Sequence, residues 1–127
     1  MHDAVPRTGA IGWVDLTVQD AAGIRDFYQK VVGWREDPVD MGGYDDWSMI
    51  PPGGEDPVAG ICHARGTNAN LPAAWLVYWV VEDLEASVRS VAEMGGEVVV
   101  APRSLGGGSF AVIRDPAGAV SALYQTA

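Results

Sequence analysis

The chain predicts an α+β fold of two β-α-β-β-β modules, with one helix per module on the outside and the strands forming an open, barrel-like sheet around a cavity. Three observations predict it. In the stretch Gly12 to Trp34, GWVDLTVQDAAGIRDFYQKVVGW, an alternating run passes through a helix cap into an amphipathic helix. The plan then returns, because Val18, Asp20 and Gly33 fall on Val81, Asp83 and Gly96 at one constant offset and in elements of the same order. Finally, a sheet that carries a helix on one face leaves its other face to be covered. Two such halves can curve their free faces around a common cavity. The 127 residues read as a single domain, 1–127, with modules at 10–64 and 73–127 and a linker at 65–72.

Met1 to Thr8 is a polar, Pro-containing tail that carries His2. In the first strand Val14, Leu16 and Val18 point one way and Trp13, Asp15 and Thr17 the other. Asp20 caps a helix whose stripe is Ile24, Phe27, Tyr28, Val31 and Val32, and Gly33 closes it. Trp34 to Val39 is extended up to a turn at Met41-Gly42-Gly43, and Tyr44 to Ile50 is a strand stopped by Pro51-Pro52-Gly53-Gly54. In the fourth strand, Val58 to Ala64, the residues Ala59, Ile61 and His63 share a face opposite Val58, Gly60 and Cys62. After the linker RGTNANLP come a strand Leu76 to Val81 and a helix to about Met94 with the stripe Leu84, Val88, Val91 and Ala92. Strands follow at Glu97 to Ala101, Phe110 to Arg114 and Val120 to Tyr124, the last two joined by a turn at Asp115-Pro116-Ala117-Gly118.

Composition removes several function classes. Seventeen acidic against eight basic side chains give a net charge of −9, which opposes nucleic-acid or anionic-membrane binding and weakly favours a cationic ligand. The single cysteine, Cys62, allows no intrachain disulfide and suits a reducing compartment. No apolar run is long enough to span a membrane, and the start lacks the pattern of a signal peptide, so the expected location is cytoplasmic. Gly106-Gly107-Gly108-Ser109 lacks the lysine and following helix of a phosphate loop and reads as a loop beside the cavity mouth.

Several residues carry the candidate chemistry. With Val14, Leu16 and Val18 under the helix, Trp13 and Asp15 face the cavity. Asp15 there reads as a general base or the partner of a cationic ligand, and otherwise as a solvated or hydrogen-bonded strand residue. Trp13 and Trp47 offer rings to a planar or cationic ligand, whereas Trp34, Trp75 and Trp79 read as core aromatics. Cys62 and His63 point to opposite faces, which excludes a Cys-His dyad.

The chain resembles the vicinal oxygen chelate superfamily, the glyoxalase, bleomycin-resistance and extradiol-dioxygenase group. The resemblance covers nearly the whole sequence. It rests on the strand before Asp20, Phe27-Tyr28 ahead of Gly33-Trp34, Asp83 with Gly95-Gly96, and Asp115-Pro116-Ala117-Gly118 before the last strand. It implies an open barrel of paired modules with a ligand inside and, in the enzymes, a divalent metal on inward histidines and glutamates. The metal positions fall here on Trp13, Ile61, Leu76 and Ala122, none of which is a donor, so no metal and no cofactor are expected. The same resemblance turns the face of Ala59, Ile61 and His63 inward, where His63 reads as a satisfied core residue or as an acid, base or ligand donor. Tyr78, two residues after Leu76, matches Asp15 in the second module and reads as packing or as a phenol opposite it. Tyr124, two residues past Ala122, joins Trp13, Trp47, Ile61, Leu76 and Ala122 in the expected ligand-binding wall.

The resulting expectation is a metal-independent enzyme acting on a small organic compound, with Asp15 and His63 as the acid-base pair and Tyr78 orienting. The alternatives are a protein that sequesters a cationic or aromatic drug or metabolite without catalysis, a metal-dependent glyoxalase or dioxygenase, and an interaction subunit with no small ligand. The resemblance also implies a homodimer.

Overall fold

Strand β1 owes its pattern to alternation, and its apolar side is the one that α1 covers. The computed structural model describes residues 7–127, and the expectations for the start of the chain, including His2, lie outside them. The elements run β1 (Ile11–Val18), α1 (Ala21–Val32), β2 (Arg35–Asp40), β3 (Asp45–Ile50), β4 (Ala59–His63), β5 (Trp75–Val80), α2 (Leu84–Glu93), β6 (Glu97–Leu105), β7 (Gly108–Arg114) and β8 (Val120–Gln125). The fold is therefore α+β, with the order β-α-β-β-β occurring twice. A short 3-10 turn, Gly66–Asn68, stands in the stretch between the two series. The chain divides into two compact units, one of residues 14–75 and one of residues 76–127 together with residues 7–13.

In the unit of residues 14–75 the strand order is β2-β3-β4-β1, with β1 and β4 parallel and the other pairs antiparallel. Leu16 lies beside Ile61 and Val18 beside His63, while Trp47 pairs with Ile61 and Met49 with Ala59. Paired residues project to the same side, so these side chains form one face, and it is the face under α1. Ala21, Trp47, Met49 and Ile61 are its buried core, with Val18, Tyr28, Trp34 and Trp75 packed against them. Of the helix itself only Ala21 is fully buried. Phe27, Val31 and Val32 are exposed, so the stripe expected to be core is rotated partly into solvent.

Asp20 accepts the Gly23 N–H at 3.2 Å and Gly33 closes α1 with φ 90°. Replacing Asp20 by alanine leaves that N–H without its side-chain partner. The expected cost in a urea titration is about 1 kcal/mol with the denaturant slope unchanged.

The unit of residues 76–127 has the order β5-β8-β7-β6, with β5 and β8 parallel. Trp79 pairs with Leu123 and Ala111 with Leu123, and this side packs under α2 through Leu84, Val88 and Val91. Trp79 stands on the α2 side but at its margin, 38% exposed, with Nε1–H donating to Ser121 Oγ at 3.1 Å, so it is not the core aromatic expected. The loop expected at 102–109 is mostly strand. β6 runs through Pro102 to Leu105, register shifts between Val98 and Arg103 absorb the irregularity, and Leu105 pairs with Gly108. An edge strand tolerates the missing proline N–H, and Gly106, with φ 60°, supplies the left-handed residue of a two-residue hairpin turn. No helix among the described residues is long and apolar enough to cross a membrane.

Candidate functional site

The face of the β5-β8-β7-β6 sheet away from α2 carries Leu76, Tyr78, Ala122, Tyr124 and Phe110, because Tyr78 pairs with Ala122, Val80 with Tyr124 and Tyr124 with Phe110. The chain start runs beside this sheet. Gly9 N–H donates to Val80 O at 2.7 Å, and Val80 N–H to Ala10 O at 2.9 Å, which carries Gly12 and Trp13 to the same place. A cavity of about 370 Å³ opens there, lined by Gly12, Trp13, Tyr78, Leu105, Gly106 and Tyr124. Its walls are three aromatic rings, one leucine and glycine backbone. Tyr78 is buried and lies 6.3 Å, ring centre to ring centre, from Phe110, and Leu76 and Ala122 are fully buried on its face. Such a cavity falls in the size range of small-molecule sites and favours a flat, largely apolar occupant.

In the unit of residues 14–75 the chemistry lies elsewhere than expected. Asp15 pairs with Gly60 and His63 with Val18, which puts Asp15 and His63 on opposite faces of the sheet. The expectation that they share one face is overturned by this register. Trp47 and Ile61, expected as ligand walls, are core residues under α1 at 7% and 0% exposure.

His63 has a different partner. Asp46, 8% exposed, accepts the His63 backbone N–H at 2.9 Å and stands 3.1 Å from His63 Nδ1, through the same carboxylate oxygen. The ring lies 5.3 Å from both Tyr44 and Trp47. Arginines stand over these aromatics, Arg65 at 3.8 Å from the Tyr44 centroid and Arg25 at 4.5 Å from that of Trp47. Cys62 also turns to Asp46, its thiol hydrogen-bonded to the carboxylate. Burial, helped by the Asp15 and Asp46 charges, pushes that thiol far above its ordinary range. The thiol therefore stays protonated and is not a nucleophile. Sequence reasoning missed Asp46. The only signal in the sequence was a pair of aspartates between Tyr44 and Trp47 on a strand, which does not tell Asp46 from Asp45; in the structure only Asp46 is buried.

The divalent metal implied by the resemblance finds no fit here. Trp13, Ile61, Leu76 and Ala122 have no donor atoms in their side chains, and among the described residues no three His, Cys, Asp or Glu side chains gather to hold an ion.

The model of the family described as the Glyoxalase/Bleomycin resistance protein/Dioxygenase superfamily matches residues 10–122. The anthracycline biosynthesis protein DnrV of Streptomyces peucetius is 33% identical over 129 residues, covering 92% of this chain and 47% of its own length. The putative glyoxylase CFP32 of Mycobacterium bovis is 34% identical over 122 residues, covering 94% and 46%. The chain thus spans about half the length of the curated relatives it matches. Among solved structures, a glyoxalase/bleomycin resistance protein/dioxygenase superfamily member from Vibrio splendidus aligns with TM-score 0.59 at 15% identity, over 93% of this chain and 99% of that one. Methylmalonyl-CoA epimerase from Mycobacterium tuberculosis aligns with TM-score 0.53 at 18% identity, over 100% and 96%. At these identities the likeness is one of fold.

Proposed function

The chain belongs to the glyoxalase/bleomycin resistance protein/dioxygenase superfamily, and from that premise we propose that it binds a small, planar aromatic compound without using the family's divalent metal. The observation that carries this reading is the cavity walled by Trp13, Tyr78 and Tyr124, whose rings suit stacking and whose volume suits one small molecule. The likeness to DnrV, named for anthracycline biosynthesis, supports an aromatic occupant, and the net charge of −9 favours one that also bears a cation.

The test is to titrate the purified, chelator-treated protein with a panel of planar aromatic compounds, an anthracycline among them, following tryptophan fluorescence and quantifying each compound by mass spectrometry. The expected result is saturable quenching at one equivalent per chain, unchanged by the chelator. Trp13→Ala should weaken it at least about tenfold, since truncating a central aromatic anchor costs upwards of about 1.4 kcal/mol. Absence of binding across the panel, or binding indifferent to Trp13→Ala and Tyr124→Ala, would sink the reading. Loss of compound well beyond one equivalent would mean turnover in place of sequestration.

A further inference from the structure

We propose that Asp46 and His63 form a proton-transfer pair, in which the carboxylate positions the ring and Nε2 serves as a base toward a small molecule with an acidic O–H or a C–H beside a carbonyl. This inference does not depend on the aromatic cavity, which is built from other residues.

An ionised carboxylate can only accept, so the 3.1 Å contact with Asp46 is a hydrogen bond only if Nδ1 carries the proton. The neutral ring then has its lone pair on Nε2. The second bond to the same oxygen, from the His63 backbone N–H, fixes the carboxylate where the ring needs it. Because Asp46 is 8% exposed, its charge acts on the imidazole with little screening by water. Tyr44 and Trp47 pack against the ring, yet its side chain keeps 24% of its surface exposed. A histidine needed only for packing requires no buried carboxylate, and an orienting carboxylate at Nδ1 is what a base needs to keep one tautomer.

The step balances simply. Nε2 takes the proton, the bond from hydrogen to the substrate atom breaks, and its electron pair stays on the substrate as an anion. The imidazolium formed keeps the Asp46 carboxylate at Nδ1 as its partner. Arg65, held on the Tyr44 ring that packs against His63, adds a positive charge to the cluster.

Two measurements on the full chain test this without a known substrate. Nitrogen-15 NMR of histidine-labelled protein reads the tautomer, with His2→Gln assigning the other histidine, and the expected neutral form has Nδ1 protonated and Nε2 bare. Diethyl pyrocarbonate, which acylates an unprotonated imidazole nitrogen, should modify His63 about tenfold or more slowly in Asp46→Ala, the scale on which orienting partners of an imidazole act. Asp46→Asn keeps the shape and removes the charge. It should slow acylation as well, and it carries the test if the alanine variant does not fold. A wild-type ring protonated at Nε2, or an acylation rate unchanged in the folded Asp46 variants, overturns the proposal.

Discussion

Gly108→Val is expected to cost about 2–4 kcal/mol of stability, the sum of overpacking and one lost hydrogen bond to a buried N–H. A β-carbon at position 108 would stand 2.2 Å from the Gln125 carbonyl oxygen and 2.9 Å from Tyr124 Oη. The first of these is backbone in the neighbouring strand and cannot rotate away. Moving Gln125 has a second effect, because its Oε1 accepts the N–H of Leu84 at 2.7 Å at the start of α2. Leu84 is 2% exposed and anchors that helix to Ala111 and Leu123. The midpoint of thermal unfolding should fall by on the order of 10 °C for a domain of this size. Gly54→Ala, at a position where the nearest atom is 3.5 Å away and φ is not positive, should leave it nearly unchanged. Equal melting of the two variants would refute the close-approach argument. Because Tyr124 lines the cavity, the valine variant should also lose aromatic binding.

Raising the pH above about 9 should destabilise the wild-type protein by up to about 1.4 kcal/mol per unit relative to Cys62→Ala. Burial first, then the Asp15 and Asp46 charges, hold the Cys62 thiol protonated in the folded state. Below the ordinary thiol range both folded and unfolded chains keep the proton, and Cys62 contributes no pH dependence. Above it the unfolded chain releases its proton while the folded chain does not. The unfolded state then binds fewer protons and is favoured as pH rises. Urea titrations of the two proteins at pH 7, 9 and 10.5 read this directly. Parallel pH profiles would refute it, as would ready alkylation of the native protein by iodoacetamide at pH 8.5.

Element order and the two helices were legible in the sequence because they rest on local signals. Asp20 and Asp83 cap, glycines end, and the stripe of α2 keeps Leu84, Val88 and Val91 together in the folded unit. Alternation within β5 and within β8 made Leu76 with Tyr78 and Ala122 with Tyr124 legible, whereas the joining of the two sets came from the resemblance and is seen in the pairing of Tyr78 with Ala122. The partner of His63 was not legible. Which residue of β1 lies beside which of β4 is a long-range choice, and a slip of one residue exchanges the faces. The sequence reading put α1 under the face of Leu16 and Val18 but turned Ile61 and His63 away from it. The register joins them, leaving Asp15 with Gly60 on the other side. Asp46 escaped notice because nothing local distinguishes it from Asp45. Its burial and its bonds to Cys62 and His63 exist only once β3 and β4 are paired. The length of β6 was hidden by Pro102, which argues for a loop unless the strand is known to lie at an edge.

The strands β2 and β6, each of which ends the strand order of its unit, bear on how this protein behaves in crowded solution. Each carries a proline, Pro38 and Pro102, so each lacks one of the donors that an incoming chain would need for continuous strand addition. β2 adds Arg35, Glu36, Asp37 and Asp40 along its six residues, and β6 is bent by its register shifts. Both borders are thus poor templates for amyloid-like growth, a hazard that a Val-rich strand such as Val98 to Val100 would otherwise invite.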